Sequence, residues 1–507
     1  MTQESLIRRI DLTVPPASLA DTASDWERLE RATRSPLNYP VEATLAALRE
    51  IGPALRGGDW RVKVTLADTG SAWRVVSIRP GFDLSPLLGL AIDLGTTTIV
   101  ADLVDVETGQ VIASKLAYNT QREFGTDVTS RMMAAEKPDG LAALRKAAVT
   151  TINKIIAGLC AQAGVENNLI QAAVMAGNTV MQHLLLGLDP RSIRREPYVP
   201  AATAFPVLDA AAAGISIHAG APLYLLPSAS GYVGGDVTAD LLATRIAEEE
   251  SLSILIDIGT NGETVLGNRD FLLACSGSAG SAFEGCGLEW GMAAQAGAID
   301  HLRFDDGRLV YHTVGDEAPR GICGSGLIEA LGAFLQSGLI NRSGKVNLDV
   351  PGARSREGHP EIVLAPADET AVGKDIALRQ GDIENLIRDK AALYAGSRIL
   401  LANAGLTFDD VARIFIAGNF GQSLEIEQAV RIGLLPDIPR ERIQFIGNSS
   451  LAGARQALLS RSAWQRAQNI AASITCLELT VEPRYFEEYT AALFLPHTDQ
   501  SLFPSLS

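Results

Sequence analysis

Two short segments place an acid, a glycine and a hydroxyl where a phosphate can be held: LAIDLGTTTIVADLVD (Leu90 to Asp105) and LIDIGTNGETVLG (Leu255 to Gly267). In each, an apolar run ends in Asp-x-Gly-Thr and resumes as a second apolar or β-branched run, the pattern of a tight β-hairpin with a small-residue tip. The glycine lets the backbone approach a phosphate, the threonine adds a hydroxyl donor, and Asp93 or Asp257 can hold Mg²⁺, usually through water. One such hairpin is an ordinary turn. Two, each opening a half of similar layout, predict a nucleotide clamped between duplicated lobes.

Further small-residue turns follow the hairpins. Met-Ala-Gly-Asn at 175–178 is echoed by Ile-Ala-Gly-Asn at 416–419. Each reads as a strand running into a glycine turn and then a helix N-terminus with free N–H groups. For Gly418-Asn419-Phe420-Gly421 the expected contact is the adenosine side of the nucleotide. Between the halves, Gly234-Gly235-Asp236 either approaches the phosphates, with Asp236 near the attacking water, or is a glycine hinge with Asp236 as a helix N-cap. Gly324-Ser325-Gly326 leads into an apolar helix, as a phosphate or ribose cradle does. Asp236, Glu263 and Glu284 are candidates for orienting water or metal. Phosphoryl transfer needs mainly positioning and charge compensation, so residue types alone do not select the base.

The elements that must position these groups form a loose duplication. In the first half the Asp93 hairpin leads to a helix-rich stretch from Gly125 to Ala163 and then to a strand-then-turn, Ala172 to Met181. In the second the Asp257 hairpin leads to GLIEALGAFLQSGLI and DIENLIRDKAALYAGSRILLANAGL, then to RIFIAGNFGQ. Ahead of both, residues 1–36 read as a linker or docking segment with a Pro-Pro break. Residues 37–87 read as a small α+β domain, with one helix (VEATLAALREIGPAL) and two strands (WRVKVTLAD and AWRVVSIRP). The two-lobed remainder, 88–507, divides at about 250.

A chain of 507 residues is too long for one core, and 47% hydrophobic with 20% charged residues is ordinary globular composition. With 59 acidic against 43 basic residues the net charge is −16, which argues against nucleic-acid or anionic-membrane binding. MTQESLIRRIDL has no apolar signal core, and the charge-free stretch Ala210 to Gly235 is broken by Gly, Pro and Ser, so a cytoplasmic protein is expected. Cys160, Cys275, Cys286, Cys323 and Cys476 have no cluster spacing and read as reduced core residues. The six histidines form no metal-ligand pattern.

The duplicated hairpins and the Gly418 turn resemble the acetate and sugar kinase/Hsp70/actin superfamily. Within it the chain is similar, over nearly its whole length, to the ATP-dependent reductive activators of corrinoid proteins. The likeness rests on IDLTVPPASL (10–19), AIDLGTTTIVADLVD (91–105), FGTDVTSRM (124–132), GNTVMQHLLLGLDP (177–190), GYVGGD (231–236) and LIDIGTNGE (255–263). It continues through GICGSGLIEA (321–330), IFIAGNFG (414–421), IGNSSLAGA (446–454) and PHTDQSLFPS (496–505). The resemblance implies two RNase-H-like lobes around ATP, preceded by a small domain, and ATP hydrolysis coupled to one-electron reduction of a Co(II) corrinoid to Co(I). It places Asp93, Gly95, Thr96 and Thr97 in a first phosphate motif, and Asp257, Gly259, Thr260 and Asn261 in a second. It places Gly418 and Gly421 on the adenosine side, with Asn419 where a glycine is more usual. Its cofactors are ATP and Mg²⁺. Its partner is a corrinoid-binding protein or corrinoid methyltransferase, and a homodimer is compatible with it. Relatives carry an iron–sulfur domain, usually an N-terminal ferredoxin, joined at the linker that here begins at Met1. The chain itself is expected to hold no iron–sulfur cluster and to take electrons from a separate or missing low-potential donor. Rival readings are a small-molecule kinase of the same superfamily and a nucleotide-dependent partner-binding module. A radical-dehydratase activator would need a cysteine pattern that Cys275 and Cys323 do not form.

Overall fold

A computed structural model describes residues 5–37, 39–277, 282–285, 287–305, 308–418 and 425–506. The chain divides into two compact units, Met1–Ala243 with Ser450–Ala472, and Thr244–Ser449 with Ser473–Ser507.

The first unit opens with a four-stranded sheet made of β1 (Ile7–Thr13), β2 (Val41–Ala43), β3 (Arg61–Asp68) and β4 (Trp73–Pro80), in the order β1-β3-β4-β2. The segment expected as a linker or docking segment takes part in this sheet. Ile7 to Thr13 pair antiparallel with Ala67 to Arg61, and Val14 and Leu29 are buried in one core with Leu55, Val64 and Trp73. Residues before 36 thus complete the small α+β fold rather than precede it, because a three-stranded sheet would leave the β3 edge and its apolar face uncovered.

The second sheet of this unit carries the first hairpin. β5 (Leu88–Leu94), β6 (Thr98–Asp105) and β7 (Val111–Tyr118) form an antiparallel meander. β8 (Ile170–Ala176) then runs parallel to β5, and β10 (Pro222–Leu225) parallel to β8, with β9 (Leu208–Asp209) at the edge. The order is β7-β6-β5-β8-β10-β9. All seven residues of β8 are buried, six of them apolar and one Gln171, as expected of a strand covered on both faces. The parallel return from β7 to β8 passes through the 24-residue helix Gly140–Ala163.

The second unit repeats the plan. β11 (Ser253–Ile258), β12 (Gly262–Gly267) and β13 (Leu272–Gly277) form the meander. Two small sheets follow, one of β14 (Ala298–Asp305), β15 (Arg308–Thr313) and β16 (Gly321–Ile322), the other of β17 (Ala353–Arg356), β18 (His359–Ala365) and β19 (Ile376–Arg379). β20 (Arg413–Ala417) is parallel to β11, β21 (Ile443–Gly447) to β20, and β22 (Ile474–Cys476) to β13. The order is β21-β20-β11-β12-β13-β22. Read outward from the first strand of each meander, both sheets place the second and third strands on one side and the fourth and fifth on the other. This is the duplicated RNase-H-like, actin-like α/β architecture.

The expected lobe boundary needs one amendment. After β21 the helices Ser449–Leu459 and Arg461–Ser473 return to the first unit. Arg455 Nη1 lies 2.9 Å from Asp102 Oδ2 on β6, and Trp464 meets Tyr224 edge-to-face with centroids 5.3 Å apart. Asp102 is buried and Arg455 half-buried, so the pair is asymmetric. Removing Arg455 strands a desolvated carboxylate, whereas neutralising both partners does not. Arg455→Met is expected to destabilise the protein by about 2 kcal/mol or more, and adding Asp102→Asn should recover most of that. Chemical denaturation of the single and double variants measures it, and a double variant no better than Arg455→Met would contradict the stranded-charge account.

Candidate functional site

Both hairpins have the same alternation of exposure. From Ile92 to Thr98 and from Ile256 to Gly262, buried and half-buried residues alternate in the same order, with the aspartate, the glycine and the third tip residue half-exposed each time. Period-two alternation carried through the tip directs one set of groups inward and offers the other to a ligand.

In the first unit three other segments, around Asn178, Asp236 and Ser450, meet at the Asp93 hairpin. A Cβ on Gly95 would stand 2.4 Å from the Thr98 carbonyl oxygen, so the turn admits no side chain there. Asp93, near the end of β5, accepts a hydrogen bond from Ser450 Oγ at 3.2 Å. The Thr96 hydroxyl accepts from Asn178 Nδ2 at 3.0 Å, while Asn178 Oδ1 accepts from Met181 N at 2.9 Å and caps the helix Thr179–Leu186. A Cβ on Gly234 would lie 2.4 Å from Asn178 Cα, and Gly235 N donates to Gly177 O at 3.0 Å. The glycines between the halves therefore let two turns stack backbone on backbone. That stacking sets Asp236 in the first turn of the helix Gly235–Thr244, one residue inside its start rather than at the N-cap. Its Oδ1 accepts from Val237 N at 2.9 Å. Burial, and then the neighbouring Asp93 carboxylate, push the Asp236 acid up to about 7. A carboxyl poised there can exchange a proton at neutral pH or take a shared cation.

In the second unit the acid pair is local. Asp257 and Glu263 are register partners across β11 and β12, hence on one face, and Glu263 is buried and accepts from Ser276 Oγ at 3.2 Å. The Gly259–Asn261 turn closes by Gly259 N donating to Asn261 O at 3.0 Å. The Thr260 hydroxyl donates to Glu284 at 2.5 Å. A Cβ on Gly259 would meet nothing nearer than 3.6 Å, so folding does not demand this glycine as it demands Gly95. Gly418 ends β20 with φ +123° and donates to Gly447 O at 3.1 Å. Asn419 and Gly421 lie outside the described residues. Gly324 opens the helix Gly324–Ser337, whereas the Ser325 hydroxyl is buried 3.5 Å from Cys323 Sγ. A Cβ on Gly326 would be 2.3 Å from Ile299 O. Close packing of that helix on β14 is thus a sufficient reason for part of the Gly-Ser-Gly run.

Each hairpin, taken by itself, fits part of a magnesium nucleotide in chemical type. Crowded carboxylates at Asp93 and Asp236 gain from a divalent cation, and the open face at Gly259 leaves room for a phosphate. Among the described residues no group of three or more His, Cys, Asp or Glu has metal-holding geometry. Cys160, Cys275 and Cys323 are buried free thiols, and Cys286 lies outside the described residues. No described helix is long and apolar enough to cross a membrane. Two contributors, Asn178 and Ser450, were not picked out as site residues from the sequence. Asn178 had a legible signal, since Gly-Asn-Thr after an apolar strand is an N-cap pattern. Ser450 lies in a similar turn, IGNSS, but nothing in the residue order ties it to Asp93, 357 positions away.

Comparison with known proteins bears on the whole chain. Residues 1–85 match the RACo linker region, 88–249 the RACo middle region, and 251–507 the C-terminal ASKHA domain of RACo. The chain is 33% identical over 414 residues to the corrinoid activation enzyme RamQ of Eubacterium limosum, covering 80% of this chain and 70% of that protein. It is 24% identical over 429 residues to a Methanosarcina barkeri [Co(II) methylated amine-specific corrinoid protein] reductase, covering 77% and 73%. A solved reductive activator for a corrinoid, iron–sulfur protein superposes with a TM-score of 0.93 at 44% identity, covering 99% of this chain and 81% of that one.

The Asp236 shift carries a pH signature. Unfolded, this acid ionises near the ordinary value of 3.8; folded, near 7. Between those values the folded state holds the extra proton, so its stability falls as pH rises through that window. Asp236→Asn should therefore be more stable than wild type above pH 7, by a few degrees in Tm, with the advantage vanishing toward pH 4. Thermal unfolding without nucleotide or divalent ions tests it; parallel pH profiles for the two proteins would refute the shared-corner account.

Proposed function

The chain belongs to the RACo family, and we propose that it is the ATPase part of a corrinoid-protein reductive activator. It hydrolyses ATP to ADP and phosphate, and couples that cycle to transfer of one electron onto a partner's Co(II) corrinoid, giving Co(I). The electron comes from a low-potential iron–sulfur donor, in a separate protein or domain. One observation carries this reading: a solved reductive activator superposes on 99% of the chain at 44% identity. We place the activity in the cytoplasm, on a corrinoid-binding protein or corrinoid methyltransferase.

Within that reading the residues divide by chemistry. Asp93 and Asp257 would hold Mg²⁺ through water, and the ion, when bound, supplies positive charge to the phosphate oxygens. Gly95, Thr96, Thr97, Gly259, Thr260 and Asn261 would present backbone and side-chain donors to the phosphates. Gly418, with Asn419 and Gly421, would meet the adenosine side, and Gly324 with Ser325 remains a candidate ribose or phosphate cradle. Asp236 and Glu263 are the acids that orient and deprotonate water: Asp236 holds a proton it can trade near neutrality, and Glu263 is buried beside Asp257.

The deciding experiment measures ATP hydrolysis with and without a Co(II)-state corrinoid protein, an external low-potential reductant being present and Co(I) followed by absorbance. Stimulated hydrolysis with Co(I) appearing is expected. Turnover that depends instead on a small hydroxyl or carboxylate compound would move the chain to the kinases. Asp236→Asn and Glu263→Gln are each expected to lower turnover, with a loss of about 10²-fold or more in the variant that removes the water-orienting acid. If neither falls by tenfold, both assignments are wrong.

A further inference from the structure

The segment that follows β7 takes no part in the site described so far, yet it grips the first hairpin. Asn119, Gln121 and Arg131 are each fully buried. Asn119 N donates to Thr97 O at 2.9 Å, and Asn119 Nδ2 donates to Gly95 O at 3.0 Å. Asn119 Oδ1 accepts from Gln121 N at 3.1 Å. Both outer partners are backbone groups of fixed role, a carbonyl and an N–H, so the amide can face only one way. Behind it, Gln121 Oε1 accepts from Asn119 Nδ2 at 3.1 Å and from Arg131 Nη1 at 3.3 Å, while Arg131 Nε donates to Gly125 O at 2.9 Å. Arg131 Nη1 also lies 3.3 Å from Met181 Sδ. Met181 is the residue whose N–H is bound by Asn178, and Asn178 holds Thr96.

Three successive tip residues are therefore pinned by side chains and backbone from outside the hairpin: Gly95 and Thr97 through their carbonyls by Asn119, and Thr96 through its hydroxyl by Asn178. In a planar trans peptide the C=O and the following N–H point in opposite directions. Holding the Gly95 carbonyl toward Asn119 thus turns the Thr96 N–H away from it. We propose that Asn119, oriented by Gln121 and Arg131, is a positioning residue for nucleotide phosphate binding. It fixes the Gly95–Thr96 peptide plane so that the Thr96 N–H is presented to a phosphate before the ligand arrives. Preorganised backbone donors of this kind give affinity and catalysis because no reorganisation is needed on binding. The proposal rests on the reading that this hairpin carries nucleotide phosphates.

The test compares MgATP and AMP binding by calorimetry, with ATP turnover alongside. Asn119→Asp keeps the oxygen that accepts from Gln121 N but loses the donor to Gly95 O. It should weaken MgATP about tenfold, the equivalent of one lost net hydrogen bond, and leave AMP unchanged, since AMP lacks the β- and γ-phosphates. Gln121→Met, which removes the acceptor that orients the amide, should show the same ATP-selective loss to a smaller degree, and it stands in should Asn119→Asp fail to fold. Thr120→Val is the control for mere loosening, because the Thr120 hydroxyl holds the same turn to Ala147 O at 3.1 Å and to Thr151 Oγ1 at 2.8 Å. It should lower Tm without changing the ratio of ATP to AMP affinity. Equal weakening of ATP and AMP in Asn119→Asp, or wild-type ATP affinity and turnover, overturns the proposal while leaving the ATPase reading intact. A wild type that binds neither nucleotide removes the ATPase reading and the proposal together.

Discussion

Much of the first unit's architecture is organised around two neighbouring carboxyl groups, of which Asp236 is kept from ionising first by burial and then by Asp93. Asp93 sits at the mouth of a hairpin, and Asp236 in the first turn of a helix that follows that hairpin only after four further strands. Such a pair would move apart if its backbone were free to relax; here the turns hold both acids in place while each stays half-exposed. The Gly95 turn has no space for a side chain, Gly234 lies on Asn178, and Asn178 is committed to both Thr96 and its own helix. The result is a corner where charge is disfavoured until a cation arrives, and where the cost is met by rigid packing elsewhere. Local conflict of this kind, surrounded by consistent packing, is what a binding site looks like in energetic terms.

The duplication is not a copy. Both hairpins share sheet order and exposure pattern, but the second acid arrives by different routes. Glu263 stands opposite Asp257 in the same hairpin, so any structure that forms β11 and β12 forms the pair. Asp236 depends on the Gly177 and Gly234 turns meeting, and Ser450 comes from a helix that returns after the second sheet. The acid pair of the second hairpin is thus set by local sequence and that of the first by tertiary contacts. The first is the half whose acidity can respond to small changes in packing, because burial and a through-space neighbour set it.

What could be read from the residue order follows the same division. The Asp-x-Gly-Thr hairpins, the β8 and β20 strands with their glycine turns and the long helices are local patterns, and each was legible. β1 was not. Arg8, Arg9 and Asp11 break the apolar alternation of an edge strand, so Ile7–Thr13 reads as linker until its pairing with β3 is seen. The return of 450–472 to the first unit was equally hidden, since a helix pattern gives its own apolar face but not the surface that face will cover. Asp236 is intermediate. Its type and glycine context marked it, yet only the helix start at Gly235 decided between a cap and an inward-facing acid.

A corrinoid activator also faces a constraint that geometry alone does not remove. Raising the potential of a one-electron couple by about 59 mV requires tenfold tighter binding of the reduced or ligand-free form. Ordinary allosteric coupling, about 1–3 kcal/mol, corresponds to a shift of only some 40–130 mV. A shift of roughly 300 mV would need about five decades of preference, well beyond that range. Binding energy can hold the reducible form of the corrinoid, but over a closed cycle it returns what it supplied. Something irreversible must separate capture from release, and hydrolysis of ATP is such a step. On this view the Asp93–Asp236 corner is suited to a timing role: a cation that favours its ionised form would give the first unit a loaded and an unloaded state. The partner's redox state can then bias which of them is occupied.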